Sequence, residues 1–278
     1  MTIQTAPAAQ AEPAASVTRP DSSHRLSFGR ALRSEWIKLS TLRSTWWSIG
    51  IVAVLTIGIA AMVAAALGDG PGFPGIQAVV LPIQFTMLLA GILGVISVTG
   101  EYSTGMIRST LTAVPRRGMV LAAKAVVMAV LMFVASMVIF FAAALVVTPM
   151  LAGTSSAIDW SDVEGTILPI LASSASMAVF SLIGVAVGFL LRSGAGAIAA
   201  VVGLLFVLPI VAQMFSMAGE GWRWVTDLAL YLPSSAAQFA IIPSADAPLD
   251  GTSASLTLVA WVAGTMLAAW GVLRTRDA

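Results

Sequence analysis

Six long runs of apolar residues alternate with shorter polar segments along this chain, and none of the six contains Asp, Glu, Lys, Arg or His. Each run holds about the 20 residues that a helix, rising about 1.5 Å per residue, needs to cross the hydrocarbon core of a membrane. Only a helix satisfies its backbone hydrogen bonds within one segment in lipid, so the pattern predicts an all-α integral membrane protein. The six predicted transmembrane helices cover residues 47–67, 76–98, 125–147, 167–191, 195–215 and 255–273.

The charged residues between these runs are sorted by sign. Six spans place both termini on one side of the membrane, and thirteen of the fourteen Lys and Arg residues fall on that side. The other side has Arg223 alone, together with eight acidic residues. Because basic residues collect in cytoplasmic segments, both termini are predicted to be cytoplasmic and the chain to lie in the cell membrane.

Composition narrows the class of protein further. Charged residues make up 10% of the chain, the apolar set 58%, and mean hydropathy is +0.96, all outside the range of a soluble globular domain. Cysteine is absent, which excludes disulfide, zinc-thiolate and iron–sulfur chemistry. Because the basic residues flank the spans, their expected counter-charges are anionic membrane lipid and a cytoplasmic partner. Nucleic acid is not an expected partner.

The first 46 residues divide into two parts. Residues 1–25 are rich in Ala, Pro, Gln, Ser and Thr without an apolar period, which predicts a disordered cytoplasmic tail. Residues 26–46 have helical periodicity and predict an amphipathic helix lying in the cytoplasmic interface, or else a basic flank that only sets topology. The apolar stripe of that helix comprises Phe28, Leu32, Trp36, Leu39 and Trp46, with Arg30, Arg33 and Lys38 facing away from it and Arg43 near its end.

The loop over residues 99–124, between the second and third spans, is too long and too patterned for a simple connector. Met106, Ile107, Thr110 and Leu111 recur at helical spacing, and Pro115 is expected to end that helix before Arg116 and Arg117. This spacing predicts a short amphipathic helix across the cytoplasmic end of the bundle, where it would dock on a soluble partner.

Two motifs and the six-span layout resemble the permease subunits of type 2 ABC transporters (the ABC-2 family), particularly those of high-GC Gram-positive bacteria. The first motif is Ser34-Glu35-Trp36-x-Lys38-Leu39 followed by Leu42-Arg43-Ser44-Thr45-Trp46-Trp47. The second is Glu101-Tyr102-x-x-Gly105-x-Ile107-Arg108-x-Thr110-Leu111 followed by Pro115-Arg116-Arg117. Together with the layout, the resemblance covers nearly everything after the tail, so that residues 47–278 would form a six-span permease domain.

The resemblance implies roles for both motifs. The first motif would be the interfacial elbow helix, with Trp36, Lys38, Leu39 and Arg43. The second would be the coupling helix that receives force from a separate ABC ATPase, through Glu101, Gly105, Ile107, Arg108, Leu111, Pro115, Arg116 and Arg117. Glu101, at the membrane edge, is expected to pair with a basic group or cap a helix; alternatively it is a solvated surface residue.

The resemblance also implies a transport path and partners. Spans one, two and five would line the path, with Gln84, Thr86, Ser97 and Gln213 as its few polar side chains, and a path this apolar suits an amphipathic or lipid-like substrate. The extracellular segment 216–254 would fold into short helices that dip into the outer leaflet. The partners would be the ATPase, a second permease copy or paralogue, and membrane lipid.

The sequence argues against other classes of function. Only two lysines are present and neither follows a glycine, so the chain has no phosphate-binding loop; ATP would be bound by the partner, and no cofactor is expected in this chain. No titratable group within the spans suits an ion-coupled transporter or an intramembrane enzyme. A non-transporting membrane scaffold or regulatory subunit remains the main alternative, because it requires no chemistry.

Gly184 and Gly188 stand four residues apart in the fourth span. This spacing allows close approach of a neighbouring helix, but it is equally consistent with the ordinary glycine content of membrane helices.

The basic residues generate a prediction about topology. Reporter fusions after Arg117 and after Ala278 should report the cytoplasm, whereas fusions near Asp162 and Asp246 should report the outside. An external C-terminus would remove the six-span arrangement and, with it, the cytoplasmic position of the 99–124 loop.

Overall fold

The computed structural model describes residues 27–67, 73–114, 116–217, 219–244 and 246–275, and these ranges contain helices, turns and no strand. The predicted tail lies outside the described residues. In chain order the α-helices are α1 (Phe28–Thr41), α2 (Arg43–Leu67), α3 (Gly75–Val80), α4 (Ile83–Ser103), α5 (Met106–Ala113), α6 (Arg117–Met150), α7 (Leu168–Leu191), α8 (Gly194–Val202), α9 (Leu208–Met214), α10 (Arg223–Ala229), α11 (Pro233–Ile241) and α12 (Gly251–Thr275).

Six helical segments are long and apolar enough to cross a membrane, which confirms the six predicted spans and makes the chain a multi-pass membrane protein. Most extend beyond the predicted bounds, because the helices continue into the polar flanks. The third span therefore includes Lys124. The six segments are Arg43–Leu67, Gly75–Ser103, Arg117–Met150, Val163–Leu191, Gly194–Met217 and Gly251–Thr275.

The helix predicted over 26–46 is divided in the structure. Leu42 is extended, with φ −77° and ψ 116°, so α1 ends at Thr41 and the first span begins at Arg43. The Thr41 hydroxyl donates a hydrogen bond to the Ile37 carbonyl at 2.7 Å, back onto the preceding turn of its own helix. Trp46 consequently belongs to α2, and the membrane span starts earlier than predicted.

Prolines shape three of the spans. The second span breaks between α3 and α4 at Leu81 and Pro82, where proline supplies no N–H for a continuous helix. In the fourth and fifth spans, Pro169 and Pro209 each come two positions after one turn of π-helix, over Val163–Ile167 and Gly203–Val207. The wider turn makes room for a ring that would clash with the preceding turn of an α-helix.

Helix α7 occupies the centre of the bundle. It packs against α4 and α6 and also contacts α8, α11 and α12, and its Phe180, Ile183 and Phe189 side chains are fully buried. Helices α2 and α12 lie at the periphery and keep large apolar side chains exposed, as expected for surfaces that face lipid.

Glycines bring the backbones of α4 and α7 into direct contact. A Cβ added at Gly184 would overlap the carbonyl oxygen of Gly91, and one added at Gly94 would overlap the carbonyl oxygen of Ser181. The Gly184 spacing is therefore a packing feature of this bundle. Close backbone contact matters in lipid because burial against another helix removes no apolar surface from water.

The segment from 216 to 254 contains short helices before α12 begins at Gly251. Its described part has a 3₁₀ turn at Glu220–Trp222, then α10 and α11, and the longer of these two helices has nine residues. Nine residues rise about 14 Å, which is too short to cross a membrane. The short helices predicted for this segment agree with the described residues, where the six spans leave no further helix long enough to cross a membrane.

The contact between α4 and α7 generates a prediction about stability. Gly184→Val should destabilise the protein by roughly 1–3 kcal/mol, because the new side chain meets backbone that cannot move aside. Gly58→Val on α2, where no atom lies within 4 Å of an added Cβ, is the matched control. Thermal unfolding in detergent micelles measures both, and equal effects would contradict the close-contact interpretation.

Candidate functional site at the junction of α1, α4, α5 and α6

Four ionisable side chains meet at the end of the bundle that carries α1 and α5. Glu35 and Lys38 come from α1, Glu101 from the last turn of α4, and Lys124 from α6. Lys124 is 2% exposed, Glu35 3% and Glu101 4%. Charged side chains are rarely buried to this degree unless they are paired. These four residues are called the ion cluster below.

Lys124 is the most buried member of the ion cluster. Its Nζ donates hydrogen bonds to Glu35 Oε2 at 2.6 Å, to Glu101 Oε1 at 2.7 Å and to the Ser97 carbonyl oxygen at 3.1 Å. An ammonium group has three donors, so all three are satisfied by α1 and α4. Lys124 therefore joins α6 to both of those helices.

Lys38 closes the ion cluster from the side of α1. Its Nζ lies 2.7 Å from Glu35 Oε1, 3.0 Å from Glu101 Oε1 and 3.3 Å from the Thr110 hydroxyl oxygen. Thr110 belongs to α5, so this ammonium group connects α5 to α1 and α4. The sequence predicts that Lys38 faces away from the apolar stripe of the interfacial helix. In the structure it faces two carboxylates of the bundle, which are stronger partners than the interface.

The ion cluster is balanced in charge, with two carboxylates and two ammonium groups. Burial of one charge alone costs several kcal/mol, and only close opposite charges with satisfied hydrogen bonds offset that cost. Among the described residues, Glu101 Oε2 is the single carboxylate oxygen of the cluster that is buried without a hydrogen-bond partner. The arrangement therefore depends on all four members being present.

The two cluster residues on α1 have shifted pKa values. Burial raises the pKa of Glu35, but Lys124 and Lys38 more than offset this effect and lower it below its usual value of 4.5. Burial likewise lowers the pKa of Lys38, but Glu35 and Glu101 outweigh it and raise the pKa above 10.5. Glu35 thus stabilises the fold above the ordinary carboxyl range and loses this effect as pH falls through its lowered pKa. The contribution of Lys38 is lost only as pH rises through its raised pKa.

Local structure explains how these residues converge. Glu35 and Lys38 stand three residues apart on α1, on the face that also buries Leu39. After Ser103 the chain turns at Gly105, whose φ of 72° lies in the left-handed region that favours glycine. This turn directs α5 back across the end of the bundle, where Ile107 is 3% exposed and anchors it.

The structure brings some of the predicted coupling residues together and separates others. Glu101 belongs to the ion cluster, Gly105 makes the turn, and Ile107 and Leu111 pack toward the core. Arg108 and Arg116 are exposed at the surface of this end, and Arg117 Nη1 donates a hydrogen bond to the Leu273 carbonyl oxygen at 2.8 Å. Pro115 lies outside the described residues.

The predicted interfacial residues also differ among themselves. Leu39 is buried against the bundle, whereas Trp36 is 45% exposed and Arg43, now the first residue of α2, is exposed. One face of α1 is therefore held by the bundle while Trp36 and Phe28 remain outside it.

Sequence reasoning missed two members of the ion cluster. From the sequence, Glu35 is only a member of the first motif, and Lys124 is only one of the thirteen basic residues on the side of the termini. Two features of the sequence could have indicated the cluster. Glu35 lies one helical turn before Lys38, and Lys38 and Lys124 are the only lysines in the chain. Pairing across 89 positions, as between Glu35 and Lys124, leaves no local pattern.

The four predicted path-lining residues do not share one site. Gln84 and Gln213 line the same cavity, of about 390 Å³, between α4, α9, α10 and α11. The Thr86 hydroxyl donates to the Pro82 carbonyl at 3.2 Å and also lies 3.8 Å from Met177 Sδ on α7. The Ser97 hydroxyl donates to the Gly94 carbonyl at 2.7 Å, and neither residue is among those that line this cavity.

Within the described ranges no group of three or more His, Asp and Glu side chains is arranged to hold a metal ion. Comparison of the chain with protein-family models gives no match, and comparison with the curated proteins gives none either. The family is therefore argued from the two motifs and the layout of the spans.

The ion cluster generates a prediction about stability. Lys124→Met keeps much of the side-chain volume but leaves two carboxylates buried without their main partner, so we expect a loss of about 3–5 kcal/mol. Unfolding in mixed micelles of increasing sodium dodecyl sulfate content measures this loss.

Arg223→Met is the matched control, because Arg223 pairs with Glu220 at 3.2 Å while both side chains are largely exposed. An exposed pair contributes at most about 1 kcal/mol. A Lys124 variant no less stable than this control would show that the ion cluster does not hold the helices together.

Proposed function

We propose that this chain is the permease subunit of an ATP-driven exporter of the type 2 ABC class, working with a separate ATPase subunit and a second permease copy or paralogue. Support comes from the two motifs, from six membrane spans, and from a short helix at the position that the resemblance gives to the coupling helix. In this proposal the chain lies in the cell membrane with both termini, α1 and α5 on the cytoplasmic side.

The observation that carries the proposal is the link between α5 and the ion cluster. Through the Thr110 hydroxyl, α5 contacts Lys38, which is bonded to Glu35 and Glu101. A displacement of α5 by a docked ATPase would therefore act on α1 and on the second and third spans together. A connector that only joined two spans would need no such link.

The surface of this end suits a soluble partner. Arg108 and Arg116 are exposed, whereas Ile107 and Leu111 hold α5 on the bundle. The partner would thus meet basic side chains on a helix that is anchored from beneath. Helix α1 would be the elbow helix at headgroup depth. Its Leu39 side chain is buried in the bundle, whereas its Trp36 side chain is exposed.

Energy would come from the partner. Both lysines of the chain are held by carboxylates in the ion cluster, so neither is available for the phosphates of ATP. The substrate path would be lined by α2, α4 and the α8–α9 span, and the apolar character of these helices suits an amphipathic or lipid-like substrate.

A coupling role for α5 can be tested without knowing the substrate. The chain has no cysteine, so one thiol introduced by Met214→Cys, exposed on α9, reports conformation through its rate of maleimide labelling.

We expect an adjacent reading frame to encode the ABC ATPase. The permease alone should hydrolyse no ATP, and in vesicles holding both proteins ATP should change the labelling rate.

Thr110→Val removes the hydrogen bond to Lys38 and keeps the shape of the side chain. A hydrogen bond to a charged group is worth about 1.5–3 kcal/mol, so the ATP-dependent change should fall about tenfold while ATP hydrolysis continues. Thr112→Val is the matched control, because Thr112 lies on the exposed side of α5 and donates only to the Arg108 carbonyl. An equal ATP-dependent change in labelling rate in the two variants would contradict the assignment of α5 as the coupling element.

Glu101→Ala is a less selective variant than Thr110→Val. Glu101 is buried between Lys38 and Lys124, so its loss leaves two ammonium groups around one carboxylate. It should therefore reduce stability as well as coupling.

A further inference from the structure

A second polar site lies at the opposite end of α4 from the ion cluster. Gln84 precedes Glu101 by seventeen positions in the same helix, which is about 26 Å along its axis. Here a cavity of about 390 Å³ opens between α4, the π-helical turn before α9, α9, α10 and α11. This volume lies within the range of ligand-binding pockets in proteins.

Among the described residues, the lining of the cavity consists of uncharged groups and contains no ionisable side chain. Its apolar part includes Met87, Leu205, Phe206 and Phe239. The polar side chains of the lining are Gln84, Gln213, Ser216, Thr226, Ser234, Ser235 and Gln238.

Glutamines are concentrated at this cavity. The chain has no asparagine, and four glutamines follow residue 26; three of the four line the cavity and the fourth is Gln77 on α3. Each amide carries two donors and an acceptor. Within the described part of the chain, the side chains of Gln84, Gln213 and Gln238 make no hydrogen bond to one another or to any other residue.

Ser234 provides the second observation. This residue is only 4% exposed, and its hydroxyl oxygen has no hydrogen-bond partner in the part of the chain that the structure describes. By contrast, the Ser216 and Thr226 hydroxyls donate to carbonyls of their own segments, at 2.7 Å each. An unpaired buried hydroxyl is costly, so Ser234 and the three amides form a set of polar groups available to a bound molecule.

We infer that this cavity binds the uncharged, hydrogen-bonding head group of an amphiphile, with the apolar tail leaving past α9. The amides and hydroxyls match sugar hydroxyls or carbonyl oxygens. Ile210 and Gln213 line the cavity and are also exposed at the surface of α9, so the cavity is open on that side, where the tail would leave. A phosphate or ammonium head group would lose its hydration there and meet no opposite charge. That this ligand is the exported molecule rests on the proposed function; that it binds does not.

Binding is tested with the chain alone in phosphatidylcholine vesicles, without an ATPase. Ser235→Cys places a single thiol in the cavity lining, and Ser255→Cys places one on an exposed part of α12 outside it. Three probes with identical dioleoyl tails are compared: glucosyl diacylglycerol, anionic phosphatidylglycerol and a cationic trimethylammonium lipid. The readout is the rate of maleimide labelling.

Glucosyl diacylglycerol at about ten times its Kd should slow labelling at position 235 about tenfold, because about nine-tenths of the sites are then occupied. Labelling at position 255 should not change, and the charged lipids at the same mole fraction should leave both positions unaffected. Equal protection by all three lipids, or none by the glucosyl lipid, would overturn the inference.

Variants of the lining identify the binding groups. Gln84→Leu and Gln238→Leu should each weaken protection by the glucosyl lipid about tenfold, because they leave head-group hydroxyls unpaired. Gln77→Leu, the glutamine outside the cavity, should have no effect, and a loss equal to that of the cavity variants would also count against the site. If the cavity does not bind the glucosyl lipid, the proposed coupling of α5 to ATP hydrolysis still stands. If that coupling is not found, the binding of the lipid by the cavity still stands.

Discussion

Mutual satisfaction of four charges, three buried and one partly buried, is the constraint on which the α1–α5 end of this protein depends. Glu35, Glu101 and Lys124 are almost fully buried, and none of them is tolerable alone in a poorly solvated site. Their bonds hold α1 against α4 and α6, although α1 precedes the first span and has no continuous helix joining it to the bundle. Apart from the ion cluster, α1 is held by apolar contacts of Leu39, which is buried, and Leu32, which is partly buried.

The two polar sites of the protein lie at opposite ends of one rigid helix. Helix α4 carries Glu101 at one end and Gln84 near the other, and glycine contacts hold it closely against the central helix α7. A movement at the ion cluster would therefore be passed along α4 as a rigid body and not absorbed by loose packing. In the proposed exporter, this helix would connect the ATPase-facing end to the cavity that binds the amphiphile.

Charge distinguishes the two sites. In the ion cluster, every charged group is bonded to an opposite charge, and one carboxylate oxygen, Glu101 Oε2, has no further hydrogen bond in the described residues. The cluster therefore suits a permanent connection between helices. The cavity at the other end has three neutral amides and the Ser234 hydroxyl, which have no hydrogen-bond partner in the part of the chain that the structure describes, and this suits reversible binding. Uncharged groups also cost less to expose and rebury than ions during repeated cycles.

The sequence by itself determined the number of spans, the short helix after the second span and the absence of a seventh span, because lipid requires about 20 apolar residues for each crossing. It also determined that Gln84 and Gln213 are among the few polar groups available to the bundle. Only the tertiary structure decided that these two residues share a cavity, that Lys38 faces inward, and that Lys124 pairs with Glu35. Apolar runs and helical spacing are local properties of the chain, whereas the pairing of charges 63 and 89 positions apart depends on which helices become neighbours.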